Sequence, residues 1–305
     1  MQTRHGMIRP PRLRAGTRVA LVAPAGPVAE ERVTIALERC ERLGLVPVTG
    51  QHARGRHAGY LAGTDDERLS DLAWALSSPD IDAVWALRGG YGTMRLLARV
   101  DLAALRDHPR AYIGFSDNTA VHLALHARGV MSFHAPHAGG DLTTLAERTF
   151  ERVLFHDEAA GVLDLPDDRP PLALRAGVVE GPLVGGNLAI LAAMAGTPAP
   201  LRARGAIVFV EDVGEASYRL DRAWTQLLLS GALDDVAGFA FGRFTDCGGS
   251  ELVNLLRAFA DERGVPAVAE LPIGHEPDNW TLPMGIHARL DAGAGTLALL
   301  ESAVT

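Results

Sequence analysis

The stretch Tyr112-Ile113-Gly114-Phe115-Ser116-Asp117-Asn118-Thr119 decides how this chain is read. Ala111 to Phe115 is an apolar run of strand length. Asp117 to Arg128 follows at once with helical spacing through Ala120, Leu123 and Ala124. A strand that passes directly into a helix is the unit of an α/β layer, and it puts Ser116 on the corner. A serine there extends its hydroxyl past the strand end, beside the unpaired N–H groups that start the helix. Two readings follow. Ser116 is a nucleophile whose oxyanion the first helical N–H groups can hold, or Ser116 or Asp117 is simply an N-cap.

The same pattern extends to both sides. Arg18 to Pro24 is a strand-length apolar run, and Ala29 to Leu43 is helical with Cys40 on its inward side and Gly44 after its end. Leu45 to Val48 gives the next strand. Thr64-Asp65-Asp66-Glu67 is a capping box that opens a helix to Leu76. Ala83 to Leu87 is another strand and ends in Arg88-Gly89-Gly90-Tyr91-Gly92. Glycines at the carboxyl end of a strand let a ligand approach the backbone, and in an open parallel sheet that edge is where ligands bind. Thr93 to Val100 reads as a helix, Val130 to His134 as a strand, and Asp141 to Phe155 as a helix.

Beyond a stretch rich in Asp, Pro and Gly the pattern becomes richer in strands. Gly185-Gly186-Asn187 precedes an Ala/Leu helix. Ala206 to Val210 is a strand that delivers Glu211-Asp212, and Gly274-His275 lies between short strands. The expected organisation is an α/β domain over 1–156, a linker over 157–173 and a β-rich domain over 174–305.

Composition narrows the chemistry. No apolar run is long enough to span a bilayer, and no signal-like segment follows the basic N-terminus, so no membrane partner and a cytoplasmic setting are expected. A net charge of −8 argues against nucleic acid as partner. All 29 basic residues are arginine, which excludes a Schiff-base lysine, a Walker lysine and a Ser–Lys dyad. Cys40 and Cys247 form no disulfide framework or zinc set, and His134 and His137 lack a third ligand at useful spacing. The first strand is not followed by G-x-G-x-x-G, and Ser116 lacks the closing glycine of G-x-S-x-G.

Three strand ends therefore offer Ser116, Glu211 and His275, the residue types needed for acyl transfer by serine. Several motifs, in order along nearly the whole chain, carry a resemblance. They are Val22-Ala23-Pro24-Ala25-Gly26, Leu87 to Gly92 with Arg95-Leu96-Leu97, Gly114-Phe115-Ser116-Asp117, and Gly185-Gly186-Asn187-Leu188. Glu211-Asp212 with Tyr218-Arg219 and Asp221-Arg222, and Gly274-His275 with Leu282-Pro283 and Gly285, complete the set. The chain resembles the LD-carboxypeptidase family, serine peptidases that trim murein tetrapeptides.

The resemblance implies a flavodoxin-like N-terminal domain carrying the serine and a barrel-like C-terminal domain carrying Glu and His. It implies Ser116 as nucleophile, His275 as general base and acid, and Glu211 as its orienting carboxylate. The oxyanion hole would be the N–H of Asp117 with that of Gly89 or Gly90. It further implies a homodimer with no metal and no cofactor, acting on a small peptide. The scissile bond would be the amide between the L-centre of a diamino acid and a terminal D-alanine. Such a substrate ends in a carboxylate, which makes Arg88, with Tyr91, a candidate contact. Two alternatives stand beside this reading: a microcin-immunity-type hydrolase of aminoacyl nucleotides, and a non-catalytic protein that binds murein peptides.

Overall fold

A computed structural model describes residues 6–305. The chain divides into two compact units. The first comprises the chain to Asp141 with Leu154–Asp157 and Ala303–Thr305, and the second comprises Leu142–Val153 and Glu158–Ser302.

The first unit alternates strand and helix: β1 (Arg18–Val22), α1 (Glu30–Arg42), β2 (Val46–Thr49), α2 (Asp65–Ser77), β3 (Ala83–Ala86), α3 (Ala104–Asp107), β4 (Ala111–Gly114), α4 (Thr119–His126) and β5 (Phe133–His134). All four residues of β3 and of β4 are buried, as expected of parallel strands covered on both faces. The strands are parallel in the order β2-β1-β3-β4-β5. That is the flavodoxin-like order, with its switch point between β1 and β3. Pairing of Val22 with Ala86 and of Trp85 with Ile113 brings the carboxyl ends of β1, β3 and β4 level. The capping box at Thr64 is closed in both directions: Glu67 N donates to Thr64 Oγ1 (3.3 Å) and Thr64 N to the Glu67 carboxylate (2.7 Å).

Two expected helices are shorter than their periodicity suggests. Thr93–Leu96 is a single 3₁₀ turn, and Ser116–Asn118 is another that leads into α4. The two turns are tied together. Thr93 N donates to Asp117 Oδ2 (2.8 Å) and Thr93 Oγ1 to Asp117 O (2.6 Å).

The second unit contains α5 (Thr144–Leu154), β6 (Gly161–Val162), β7 (Leu172–Arg175), β8 (Val178–Asn187), α6 (Leu188–Ala193), β9 (Ile207–Val213), α7 (Ser217–Leu229), β10 (Gly238–Thr245), α8 (Leu252–Arg263), β11 (Ala267–Ala269), β12 (Leu282–Pro283), β13 (His287–Asp291) and β14 (Thr296–Leu299). Its mixed sheet has the order β6-β14-β13-β8-β9-β10-β11-β7. The run β8 to β11 is parallel and the flanks are antiparallel. The sheet ends at β6 and β7, so among the described residues the barrel-like expectation takes the form of an open mixed sheet. Gly185 has φ +157, and a Cβ there would sit 1.8 Å from Phe209 O, so β8 meets β9 only because this residue has no side chain. Trp224 of α7 stacks on Phe259 of α8 (4.2 Å, 7°) and meets Phe239 of β10 edge-on, which fixes both helices to the sheet. Among the described residues no helix is long and apolar enough to cross a membrane.

Candidate active site

In the first unit the level ends of β1, β3 and β4 make one corner. Gly26 N, after β1, donates to Gly89 O after β3 (3.0 Å). Gly90 and Gly92 have φ +114 and +131, so the loop needs glycine at both positions. Gly89 packs directly on the serine: a Cβ there would lie 2.9 Å from Ser116 Cβ, 3.0 Å from Ser116 Oγ and 3.2 Å from His137 Cε1. Ser116 itself has φ +60, in the left-handed region that residues with a Cβ seldom occupy. Strain of this kind persists only where its surroundings enforce it, and it gathers at functional sites. Neither the turn at Ser116 nor α4 has a side-chain cap hydrogen bond, so the N-cap alternative is not the role the fold gives Ser116 or Asp117.

The residues around the corner are satisfied mainly by backbone. Burial raises the Asp117 pKa, and its bonds from Thr93 oppose that rise. Tyr112 Oη donates to Asn118 Oδ1 (2.6 Å), and Asn118 Nδ2 donates to Phe115 O (3.1 Å). His137 Nε2 lies 3.2 Å from Phe115 O, its ring packed 4.3 Å from that of Phe115, and the buried His134 meets Phe115 edge-on.

Two supports here carry no sequence signal. Buried His122 bridges Gly114 O (2.7 Å) and Ser132 Oγ (2.8 Å), and burial lowers its pKa to about 4. Arg68, 1% exposed, donates to Pro24 O (2.5 Å), Gly92 O (2.9 Å) and Gly63 O (3.2 Å) and pairs with Asp65. A single guanidinium thus holds three loops of this edge. Of the substrate candidates, Arg88 is exposed and donates to Pro27 O (2.7 Å). It borders a hollow of about 360 Å³ with Val28, Arg32 and His137. Tyr91 is exposed, its ring 5.8 Å from that of Tyr60.

In the second unit the parallel strands again bring polar residues to their carboxyl ends, with Asn187 of β8 paired to Glu211 of β9. Glu211 is fully buried, and its Oε2 is 2.7 Å from His275 Nδ1. Gly274 has φ +130, and a Cβ there would lie 2.9 Å from Arg243 O and 3.1 Å from Glu211 Oε2. The loop can therefore run against the carboxylate only with glycine before the histidine. Burial alone would lower the His275 pKa, but the hydrogen bond and charge of Glu211, with the charge of Asp212, leave it raised. Asp212 points elsewhere, accepting from Asn187 Nδ2 (2.9 Å), Ala189 N (2.9 Å) and Val213 N (2.8 Å). Burial and neighbouring Glu211 push its pKa up to about 6.

The structure thus brings Ser116, Asp117, Gly89 and Gly90 to one strand edge of the first unit, and joins Glu211 to His275 at a strand edge of the second. The two units match family models described as the LD-carboxypeptidase N-terminal domain, over residues 19–135, and the LD-carboxypeptidase C-terminal domain, over residues 180–290. The chain belongs to the LD-carboxypeptidase family. It is 42% identical to a putative carboxypeptidase of Streptomyces coelicolor, with 96% of each chain covered. It is 39% identical to the murein tetrapeptide carboxypeptidase of Pseudomonas aeruginosa, covering 90% of this chain and 93% of that one. The solved muramoyltetrapeptide carboxypeptidase of Oxalobacter formigenes is 32% identical, with a TM-score of 0.80 over 95% of this chain and all of the other. Membership makes this LD-carboxypeptidase homologue a hydrolase.

Proposed function

We propose that this protein is a serine-type LD-carboxypeptidase that removes the terminal D-alanine from murein tetrapeptides. The observation that carries the reading is the 2.7 Å bond between buried Glu211 and His275 in a chain of this family. Glu211 accepts from Nδ1–H and fixes the tautomer, which leaves Nε2 to act as base.

Ser116 Oγ attacks the carbonyl of the L-centre while His275 Nε2 takes its proton. The N–H of Asp117 and that of Gly89 or Gly90 hold the resulting oxyanion. The tetrahedral intermediate collapses as His275 returns the proton to the nitrogen of the leaving D-alanine. Water, deprotonated by the same imidazole, then attacks the acyl-enzyme, and Ser116 leaves with its proton restored. Arg88 and Tyr91 contact the substrate, Arg88 through a carboxylate. No metal or cofactor takes part in these steps. The enzyme works in the cytoplasm as a homodimer, which cell fractionation and sedimentation would check.

The test is incubation of purified protein with a murein tetrapeptide and, separately, with an aminoacyl nucleotide. Release of D-alanine from the first is expected. Turnover of the nucleotide alone would overturn the reading.

A further inference from the structure

The loop that carries His275 is held by charges that no catalytic role explains. Arg243, on β10 and only 3% exposed, donates from Nη1 to Glu276 Oε2 (2.8 Å) and lies 3.6 Å from Asp278 Oδ2. Its backbone N also donates to Ile273 O (2.8 Å), so backbone and side chain of one residue grip the loop before and after His275. The outer side of Glu276 is held by Arg169, which donates to both carboxylate oxygens (2.9 and 3.0 Å) and reaches Glu270 (2.5 Å). Thr143 Oγ1 donates to Asp278 Oδ1 (2.5 Å), and Gly274 N to Asn279 Oδ1 (3.1 Å).

Burying a guanidinium is costly, and its cost is offset only by well-placed anions. Here both anions follow the histidine on the same loop, at the next residue and two residues beyond that. Relaxation of the loop by one ångström would misdirect the imidazole without touching substrate. We infer that Arg243, acting through Glu276 and Asp278, is a positioning residue that fixes the His275 loop against Glu211. The inference rests on His275 being the base of the reading above.

The test compares Arg243→Met, Arg243→Lys, Glu276→Gln and Arg169→Gln in the full chain. Arg243→Met should lower kcat on the order of 10²-fold with KM within about twofold. It should also broaden or shift the downfield His275 Nδ1–H proton resonance. Arg243→Lys should recover part of the loss. Glu276→Gln, which leaves Arg243 its contact with Asp278, should cost about tenfold in kcat, within the range for a misplaced group. Arg169→Gln should cost less than about fivefold, as its ion pairs are half-exposed. If Arg243→Met does not fold, Glu276→Gln decides, and wild-type kcat in it overturns the inference. So does an Arg243→Met protein whose melting temperature falls while kcat and the resonance stay at wild-type values, for Arg243 would then only stabilise. Failure of the underlying reading looks different: His275→Ala would keep its activity.

Discussion

Each unit buries an arginine deeply, Arg68 in the first and Arg243 in the second, and the two are used in opposite ways. Arg68 is neutralised by Asp65 but spends its other donors on the backbone carbonyls of Pro24, Gly63 and Gly92. Arg243 faces the carboxylates Glu276 and Asp278. The corner at Ser116 is accordingly set by backbone: a left-handed serine, glycines with positive φ, and carbonyls pinned in place. The loop at His275 is set by charge. A nucleophile needs a position, which covalent geometry supplies. A base needs a position and a proton affinity, and neighbouring charges supply both.

The comparison breaks most visibly at its ends. Ser116→Ala and His275→Ala should each lower kcat by on the order of 10⁴ to 10⁶, with the double variant little worse than either. Glu211→Gln should cost on the order of 10³ to 10⁴, because it orients and stabilises the imidazole without reacting. Single-turnover kinetics on the four proteins would measure this. Should Ser116→Ala keep more than about a tenth of wild-type kcat, the strained serine would have no part in bond making.

If backbone sets the serine corner, a methyl group should damage it as badly as a lost donor. Gly89→Ala would put a carbon 2.9 Å from Ser116 Cβ and 3.0 Å from its Oγ. A drop in kcat of about 10² to 10³ is expected, the scale of one lost oxyanion donor. Circular dichroism should show the fold unchanged. Wild-type kcat in this variant would mean the corner yields, and the contrast between the units would lose its first half.

The chain itself announced much of this. Buried parallel strands read as continuous apolar runs, so β1, β3 and β4 were legible with the corner at Ser116. The capping box of α2 and the glycine loop are local signals, and both are present in the structure. The supports were not legible. Arg68 lies on a helix whose periodicity gives no hint that its side chain is buried, because two of its acceptors, Pro24 O and Gly92 O, come from loops distant in sequence. Arg169, in a stretch that reads as polar connection, finds Glu270 and Glu276 a hundred residues later. The turn at Thr93 is tied by a bond to Asp117 that local periodicity likewise does not report. Local pattern reports elements, whereas the bracing of a site is a long-range property.

Acid should separate the two histidine environments. His122 is buried with its pKa lowered to about 4. A depressed value means its stabilising contribution is present above the ordinary value near 6.5 and lost as pH falls towards 4. The loss is about 3 kcal/mol at full protonation. Urea unfolding from pH 7 to 4 should show this fall, and His122→Gln should flatten it; parallel curves for the two proteins would exclude it. The raised value of His275 has the reverse sign: its contribution is full below 6.5 and is lost as pH rises through the folded value. In catalysis the imidazole must be neutral, so the acid limb of kcat/KM should lie above 6.5. Glu211→Gln should move that limb to lower pH, since the largest cause of the rise is removed.

The smallest expected effect tests whether charge matters in the first unit at all. Arg88 is exposed and donates to Pro27 O, so a substrate carboxylate meets a solvated cation that can turn towards it. An ion pair of that kind contributes no more than about 1 kcal/mol, a factor of about five. It forms in the ground state and persists unchanged through the transition state, which makes it uniform binding. Arg88→Ala should therefore raise KM by up to about fivefold and leave kcat alone. The effect should shrink in high salt, because exposed pairs are screened within about 10 Å at 0.1 M ionic strength. A fall in kcat of tenfold or more, insensitive to salt, would mean that Arg88 acts on the transition state. The serine corner would then share the reliance on charge here assigned to the histidine loop alone.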